Sequence, residues 1–155
     1  DPEMGELDAG ELVEEVVLLT RTKLATARIR PDLKIPKRGT ANIRGDRSLL
    51  EQALLNLVLN AVEAMPEGGE LRLEVGTQKS EVILAVQDQG PGMKQEVIDR
   101  LFEPFLTRRP GGTGLGMAMV RRTVEVHGGK VKILSRPGKG TRVEIHLPKM
   151  PPEQG

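Results

Sequence analysis

The sequence predicts a two-layer α/β sandwich: one mixed, mainly antiparallel sheet with its helices on a single face. Three observations carry that prediction. Residues 47–65 place apolar side chains at helical spacing. Leu71, Leu73 and Val75, then Val82, Leu84 and Val86, alternate in two segments joined by polar Gln78–Ser80, the pattern of an antiparallel hairpin with one buried face. Further helices and strands are interspersed along the chain without an internal repeat.

Each element has its own signal. Asp8 is the N-cap of a first helix, residues 8–24, in which Leu12, Val16, Leu19 and Lys23 recur at helical spacing. Pro31, Pro36 and Gly39 interrupt residues 27–44, leaving short β-like pieces at 29–35 and 41–44 that read as an edge strand pair or an extended loop. Asp46 caps the strongest helix, whose apolar face is Leu49, Leu50, Ala53, Leu54, Leu57, Val58, Ala61 and Val62. Pro66-Glu67-Gly68-Gly69 ends it. After the hairpin come a short helix around 94–101 and a loop holding Pro104, Pro110, Gly111 and Gly112. A helix from Gly114 to about His127 stops at Gly128-Gly129, a glycine C-cap. Strands at 130–135 and 141–147 turn at Pro137-Gly138-Lys139-Gly140. His127 reads as a surface or capping residue, and His146 alternates outward on the last strand. The Pro-rich tail, Pro148 to Gly155, is expected to be disordered, so that one domain fills 1–148 and 149–155 trails from it.

Composition bounds the function. With 155 residues the chain buries one core, and a formal charge of +1 supplies no global field toward nucleic acid or anionic membrane. No run approaches the roughly 20 apolar residues that span a bilayer. The acidic start, Asp1-Pro2-Glu3-Met4, lacks an export signal, so a cytoplasmic location is expected, within a parent that could be membrane-anchored. The absence of cysteine excludes disulfides and thiolate metal sites. Tryptophan and tyrosine are absent too, so the core must be aliphatic, with Phe102 and Phe105 the two aromatics to explain.

Three polar groupings ask for a chemical reason. Asn56, Asn60 and Glu63 share one stripe of the strongest helix, although Asn disfavours helix interiors. They form either a polar helix edge or a hard amide ligand set for magnesium, which takes its remaining ligands from phosphates and water. Asp88 ends a strand and enters Gln89-Gly90-Pro91-Gly92, either as an Asx turn or as a carboxylate accepting from an adenine amino group, with glycines that let backbone approach the base. Gly112-Thr113-Gly114-Leu115-Gly116 opens a helix, either as a mobile loop or as a phosphate cradle at a positive helix end. A dinucleotide fingerprint fails, since Met117 stands where its last glycine would and no strand directly precedes. There is also no Gly-x4-Gly-Lys-Ser/Thr loop.

In this order the groupings resemble the catalytic, ATP-binding domain of a bacterial sensor histidine kinase, within the superfamily of gyrase, mismatch-repair and heat-shock chaperone ATPases. Leu55-Asn56-Leu57-Val58-Leu59-Asn60-Ala61-Val62-Glu63-Ala64 resembles the N box, Asp88–Gly92 the G1 box and Leu101–Thr107 the F box. Gly112–Gly116 resembles the G2 box and Gly138-Lys139-Gly140-Thr141 the last Gly-x-Gly-Thr element; the resemblance covers about residues 8–148 and is most like nitrogen-regulator-type kinases. It implies the family's two-layer, Bergerat-type fold. It also implies catalytic and magnesium-supporting roles for Asn56 and Asn60, with Asn60 the metal ligand, and adenine recognition by Asp88. Further ATP contacts are implied for Gly90, Gly92, Met93, Thr107, Arg108, Arg109, Gly112, Thr113, Gly114, Leu115, Gly116 and Thr141. An ATP lid over about 93–116 is implied as well, anchored by the two phenylalanines. The implied cofactors are ATP and Mg2+.

Position 56 separates kinase from ATPase. Gyrase-like and chaperone-like ATPases and anti-sigma serine kinases carry a glutamate four residues before the magnesium Asn, as general base. Asn56 has no useful basicity, which fits a histidine acceptor, since neutral imidazole is already a nucleophile. Glu63 lies nearly two turns from position 56. The resemblance further implies, as partners, a helical phosphoacceptor and dimerisation domain of the same kinase and, indirectly, a response regulator. Neither nucleic acid nor fragment dimerisation is expected, while the full-length protein is expected to be a homodimer. His127 and His146 stand outside any acceptor motif. One departure is Phe105-Leu106-Thr107-Arg108-Arg109, which puts Arg109 where the nitrogen-type lid has a phosphate-contacting lysine. A non-catalytic ATP-gated module and an anti-sigma-type kinase or ATPase are the alternatives.

Overall fold

The structure is a computed structural model that describes residues 1–103 and 116–151. Asp8 caps helix α1 (Ala9–Thr26), accepting the Glu11 N–H at 3.1 Å and, from the other side, the Gly39 N–H at 2.8 Å. Asp46 likewise caps α2 (Arg47–Ala64) through the Leu49 N–H at 3.1 Å. Both helices therefore start where a carboxylate satisfies an orphan N–H. α1 buries Leu12, Val13, Val16 and Leu24, and α2 buries Leu50, Ala53, Leu54, Leu57, Val58 and Ala61. Leu19 of the expected stripe is exposed instead.

A strand with no clear sequence signal precedes α1. Gly5–Asp8 (β1) pairs antiparallel with Asn42–Gly45 (β3) in a two-stranded sheet. Ile29–Lys34 (β2) pairs in parallel with Gly69–Gln78 (β4) at the edge of a separate five-stranded sheet. The expectation that residues 29–35 and 41–44 pair with each other is thus corrected: each finds a distant partner. Edge placement accommodates Pro31, which has no N–H to donate.

The expected hairpin is β4 with Glu81–Asp88 (β5), and Lys79 takes a positive φ of 55° in its turn. Beyond it stand Thr141–Pro148 (β7) and then Lys130–Ser135 (β6), giving the order β2-β4-β5-β7-β6 with only the first pairing parallel. Helices α1, α2 and α4 (Gly116–Val126) pack on this sheet, and α3 (Gln95–Asp99) is a single short turn. The layer between is aliphatic, with Phe102 half-buried at its margin. Strand pairing crosses the boundary expected at residue 148. The Lys149 N–H reaches the Ser80 carbonyl at 2.8 Å, and the Met150 N–H that of Asn42 at 2.9 Å.

Neither histidine lies on the surface. His127 is buried at the end of α4, where Nε2 accepts the Asp46 N–H at 2.9 Å and Nδ1 meets the Thr123 carbonyl at 2.7 Å. Its ring therefore ties the end of one helix to the start of another. His146 does point away from the helices, yet it is only 4 % exposed. Its strand lies between β5 and β6, and Glu144 (2.9 Å) and Glu81 (3.3 Å) bracket its two ring nitrogens. Alternation reports the face a side chain takes; the neighbours on that face decide burial.

Candidate functional site

Helix α2, the end of β5, the loop after it and the starts of α4 and β7 enclose a cavity of about 290 Å³. Leu57, Ala61, Ala64, Val86, Leu101 and Val143 give it apolar walls, and Asn60, Glu63, Asp88 and Thr141 give it polar points. An apolar slot with a few convergent polar groups is the usual form of a small-molecule site. A larger hollow beside α1, about 410 Å³, is lined instead by Asp8, Glu11, Glu14, Glu15, Arg38 and Arg47, with Arg38–Glu11 and Arg47–Glu15 ion pairs across it.

Asp88 is buried at the cavity floor. Its Oδ1 accepts the Gly90 N–H at 2.9 Å and the Thr141 N–H at 3.2 Å. Burial pushes the carboxyl above the usual aspartate range, against the lowering effect of those two bonds. Both bonds fall on Oδ1, which leaves Oδ2 for a donor within the cavity.

Asn60 stands on the α2 wall. Its Nδ2 lies 3.3 Å from Met117 Sδ, and its Oδ1 lies 4.0 Å from where a Cβ on Gly116 would stand. The amide oxygen thus faces the N-terminus of α4, where the helix has no acidic side chain in its first turn. Asn56 is half-buried one turn earlier on the same helix, and the cavity lining includes Asn60 but not Asn56. Glu63 lines the cavity with Asn60. Among the described residues no group of three or more His, Cys, Asp or Glu could hold a metal ion.

A side chain at the glycines after Asp88 would meet protein backbone. A Cβ on Gly90 would stand 2.7 Å from the Ala64 carbonyl oxygen, and one on Gly92 1.9 Å from that of Arg136. Gly140 is pressed in turn against the Asp88 carbonyl, where a Cβ would stand at 2.2 Å. Gly92 and Gly140 both have φ of 72°. These residues interlock the 88–93 loop with the β6–β7 turn, and the Gly138 N–H completes the clasp on the Pro91 carbonyl at 2.6 Å. Close packing of these segments is a reason for glycine here in addition to the expected close approach to a base. Gly92→Ala combines that overlap with a left-handed backbone, so it is expected to destabilise the domain by about 3 kcal/mol; urea unfolding measures it.

Met93 and Thr141 line the cavity, and Gly116 is the first residue of α4. Phe102 packs on the core margin with the Arg121 guanidinium 5.2 Å above its ring. Phe105, Leu106, Thr107, Arg108, Arg109, Gly112, Thr113, Gly114 and Leu115 lie outside the described residues, as does half of the expected lid. Sequence reasoning missed Leu101, Met117 and Ser135. Ser135 bonds to Met93, Gly140 and Thr141, but a serine at a strand end carries no signal of partners so distant along the chain.

Comparison with known proteins agrees with this architecture. Residues 45–151 match the family described as histidine kinase-, DNA gyrase B-, and HSP90-like ATPase. Sporulation kinase A of Bacillus subtilis (strain 168) is 40 % identical over 107 residues, covering 69 % of this chain and 18 % of that protein. Across the first three curated relatives the chain spans 18 to 32 % of their length. The catalytic domain of histidine kinase ThkA superposes with a TM-score of 0.85 at 31 % identity, covering 96 % of this chain and 99 % of that one. ThkA in complex with response regulator protein TrrA superposes with a TM-score of 0.81 at 28 % identity, covering 95 % and 42 %. With its sheet order, its helix layer and the Asp88 floor in view, the chain belongs to the histidine kinase-, DNA gyrase B- and HSP90-like ATPases and, within them, to the catalytic domains of sensor histidine kinases.

Proposed function

We propose that this domain binds ATP with magnesium and transfers the γ-phosphoryl group to a histidine on a helical dimerisation domain of the same kinase, inside the cell. The observation that carries the reading is one cavity holding Asp88 on its floor and Asn60 on its wall, with Asn rather than Glu at position 56. Adenine fits the apolar slot, its amino group donating to the buried Asp88 carboxylate. The triphosphate would then run toward Asn60 and the start of α4, where backbone N–H groups favour anions.

Asn60 would hold magnesium, with Asn56 in support, and its neutral amide oxygen suits a hard cation that keeps water and phosphate ligands. The ion would neutralise charge developing on the phosphoryl group. The chain's own part is to grip the base and align the phosphates, with no carboxylate at position 56 to act as general base. A histidine acceptor needs no such base; water and serine do. Asn56 therefore argues against the ATPase and serine-kinase alternatives. The response regulator bound to ThkA supports a downstream partner of that class here.

The experiment mixes this domain at high concentration with the helical hairpin of its parent kinase, because separated domains lose the effective concentration that linkage provides. The expected product is an acid-labile, base-stable phosphate on the hairpin histidine, with little ATP turnover by the domain alone. Acid-stable phosphate on serine or threonine, or rapid turnover without the hairpin, overturns the proposal.

A further inference from the structure

Ser135 ends β6 half-buried, and its hydroxyl has three partners. The Met93 N–H donates to it at 2.9 Å, it donates to the Gly140 carbonyl at 2.9 Å, and it lies 2.8 Å from Thr141 Oγ1. A serine hydroxyl has one proton and two lone pairs. The Gly140 carbonyl can only accept, so the serine proton is committed to it. The Met93 N–H can only donate, so it occupies one lone pair. What remains for Thr141 is the second lone pair, and the Thr141 hydroxyl must donate its own proton into it.

We infer that Ser135 is a positioning residue that fixes the Thr141 hydroxyl as an acceptor toward the cavity and thereby helps select a purine with a 6-amino group. Thr141 lines the cavity together with Asp88, and its backbone N–H is bonded to Asp88 Oδ1. Asp88 Oδ2 and Thr141 Oγ1 are then both acceptors. A 6-amino group has donors for them, whereas a 6-oxo group meets them with an acceptor and leaves only its N1–H to donate, which disfavours it. This rests on the adenine reading of the cavity and adds the residue that sets the polarity of its floor. The same hydroxyl holds the 88–93 loop to the β6–β7 turn by way of Met93.

The test measures equilibrium affinity for ATP and for inosine triphosphate, which carry a 6-amino group beside a bare N1 and a 6-oxo group beside an N1–H, respectively. In the parent, ATP is expected to bind more tightly. Ser135→Ala releases the Thr141 proton to donate to a 6-oxo group, so the ATP-to-inosine-triphosphate ratio should narrow about three- to tenfold, the worth of one neutral hydrogen bond. Ser135→Thr keeps the hydroxyl and should restore the parent ratio; Ser135→Cys, a weaker hydrogen-bonding partner, should narrow it if the alanine variant does not fold. In a Thr141→Val background Ser135→Ala should leave the ratio unmoved, because the group through which it acts is gone. An unchanged ratio in Ser135→Ala, or an equal shift with and without Thr141, overturns the inference. A parent that binds ATP without discriminating it from inosine triphosphate overturns the adenine reading itself, and this inference with it.

Discussion

Asp88→Asn is expected to weaken ATP binding about 10- to 100-fold, the loss of one hydrogen bond to a charged group, without lowering the stability of the fold. The amide oxygen can still accept from the Gly90 and Thr141 N–H groups. Its amide nitrogen then sets a donor against the donors of the adenine amino group. The stability sign follows from the raised carboxyl pKa. A group whose pKa is higher folded than unfolded contributes stability fully below the unfolded value, and that contribution is lost as pH rises through the folded value. At neutral pH the ionised Asp88 is therefore a cost to the fold that a neutral amide removes, so the melting temperature should stay level or rise. Parent ATP affinity should also decline on acidification through a window that begins above the usual aspartate range. The difference between the parent and variant profiles isolates Asp88 from the titration of ATP. Calorimetric titration that finds parent-like ATP affinity in Asp88→Asn would refute the adenine role.

Asn60→Leu is expected to bring ATP affinity in magnesium down to the affinity measured with chelator. The substitution keeps the shape of the side chain and removes its oxygen, so secondary structure should be retained. Loss of an outer-shell partner alone costs metal affinity about 10- to 100-fold, and loss of a direct ligand should reach at least that range. Asn60→Asp keeps an oxygen at the site and should retain magnesium dependence. Equal titrations in magnesium for parent and Asn60→Leu would remove Asn60 from the metal site.

These two residues were legible for different reasons. Asn60 interrupts an apolar helix pattern where asparagine is disfavoured, so its presence demanded an explanation from outside the helix. Asp88 was legible through its place at the end of an alternating strand. Asn56 shares the helix face of Asn60 by spacing, while the cavity between α2 and β5 is lined by the later turns of that face. The packing of Gly92 was not legible, because no local pattern announces that the Arg136 carbonyl will arrive opposite it.

What the sequence by itself determined was local. Caps at Asp8 and Asp46, periodicity along α2 and alternation along β4 and β5 depend on residues a few positions apart, and all appear in the structure near their expected bounds. What only the tertiary structure decided was pairing between distant segments. It set β1 against β3 and β2 against β4, enclosed His146 between two carboxylates, and made His127 a link between α2 and α4. It also brought Ser135 to Met93 and Thr141. The physical reason is that a hydrogen bond or an alternating pattern specifies what a group needs, namely a partner or a buried face. Which distant group meets that need is decided when the whole layer packs.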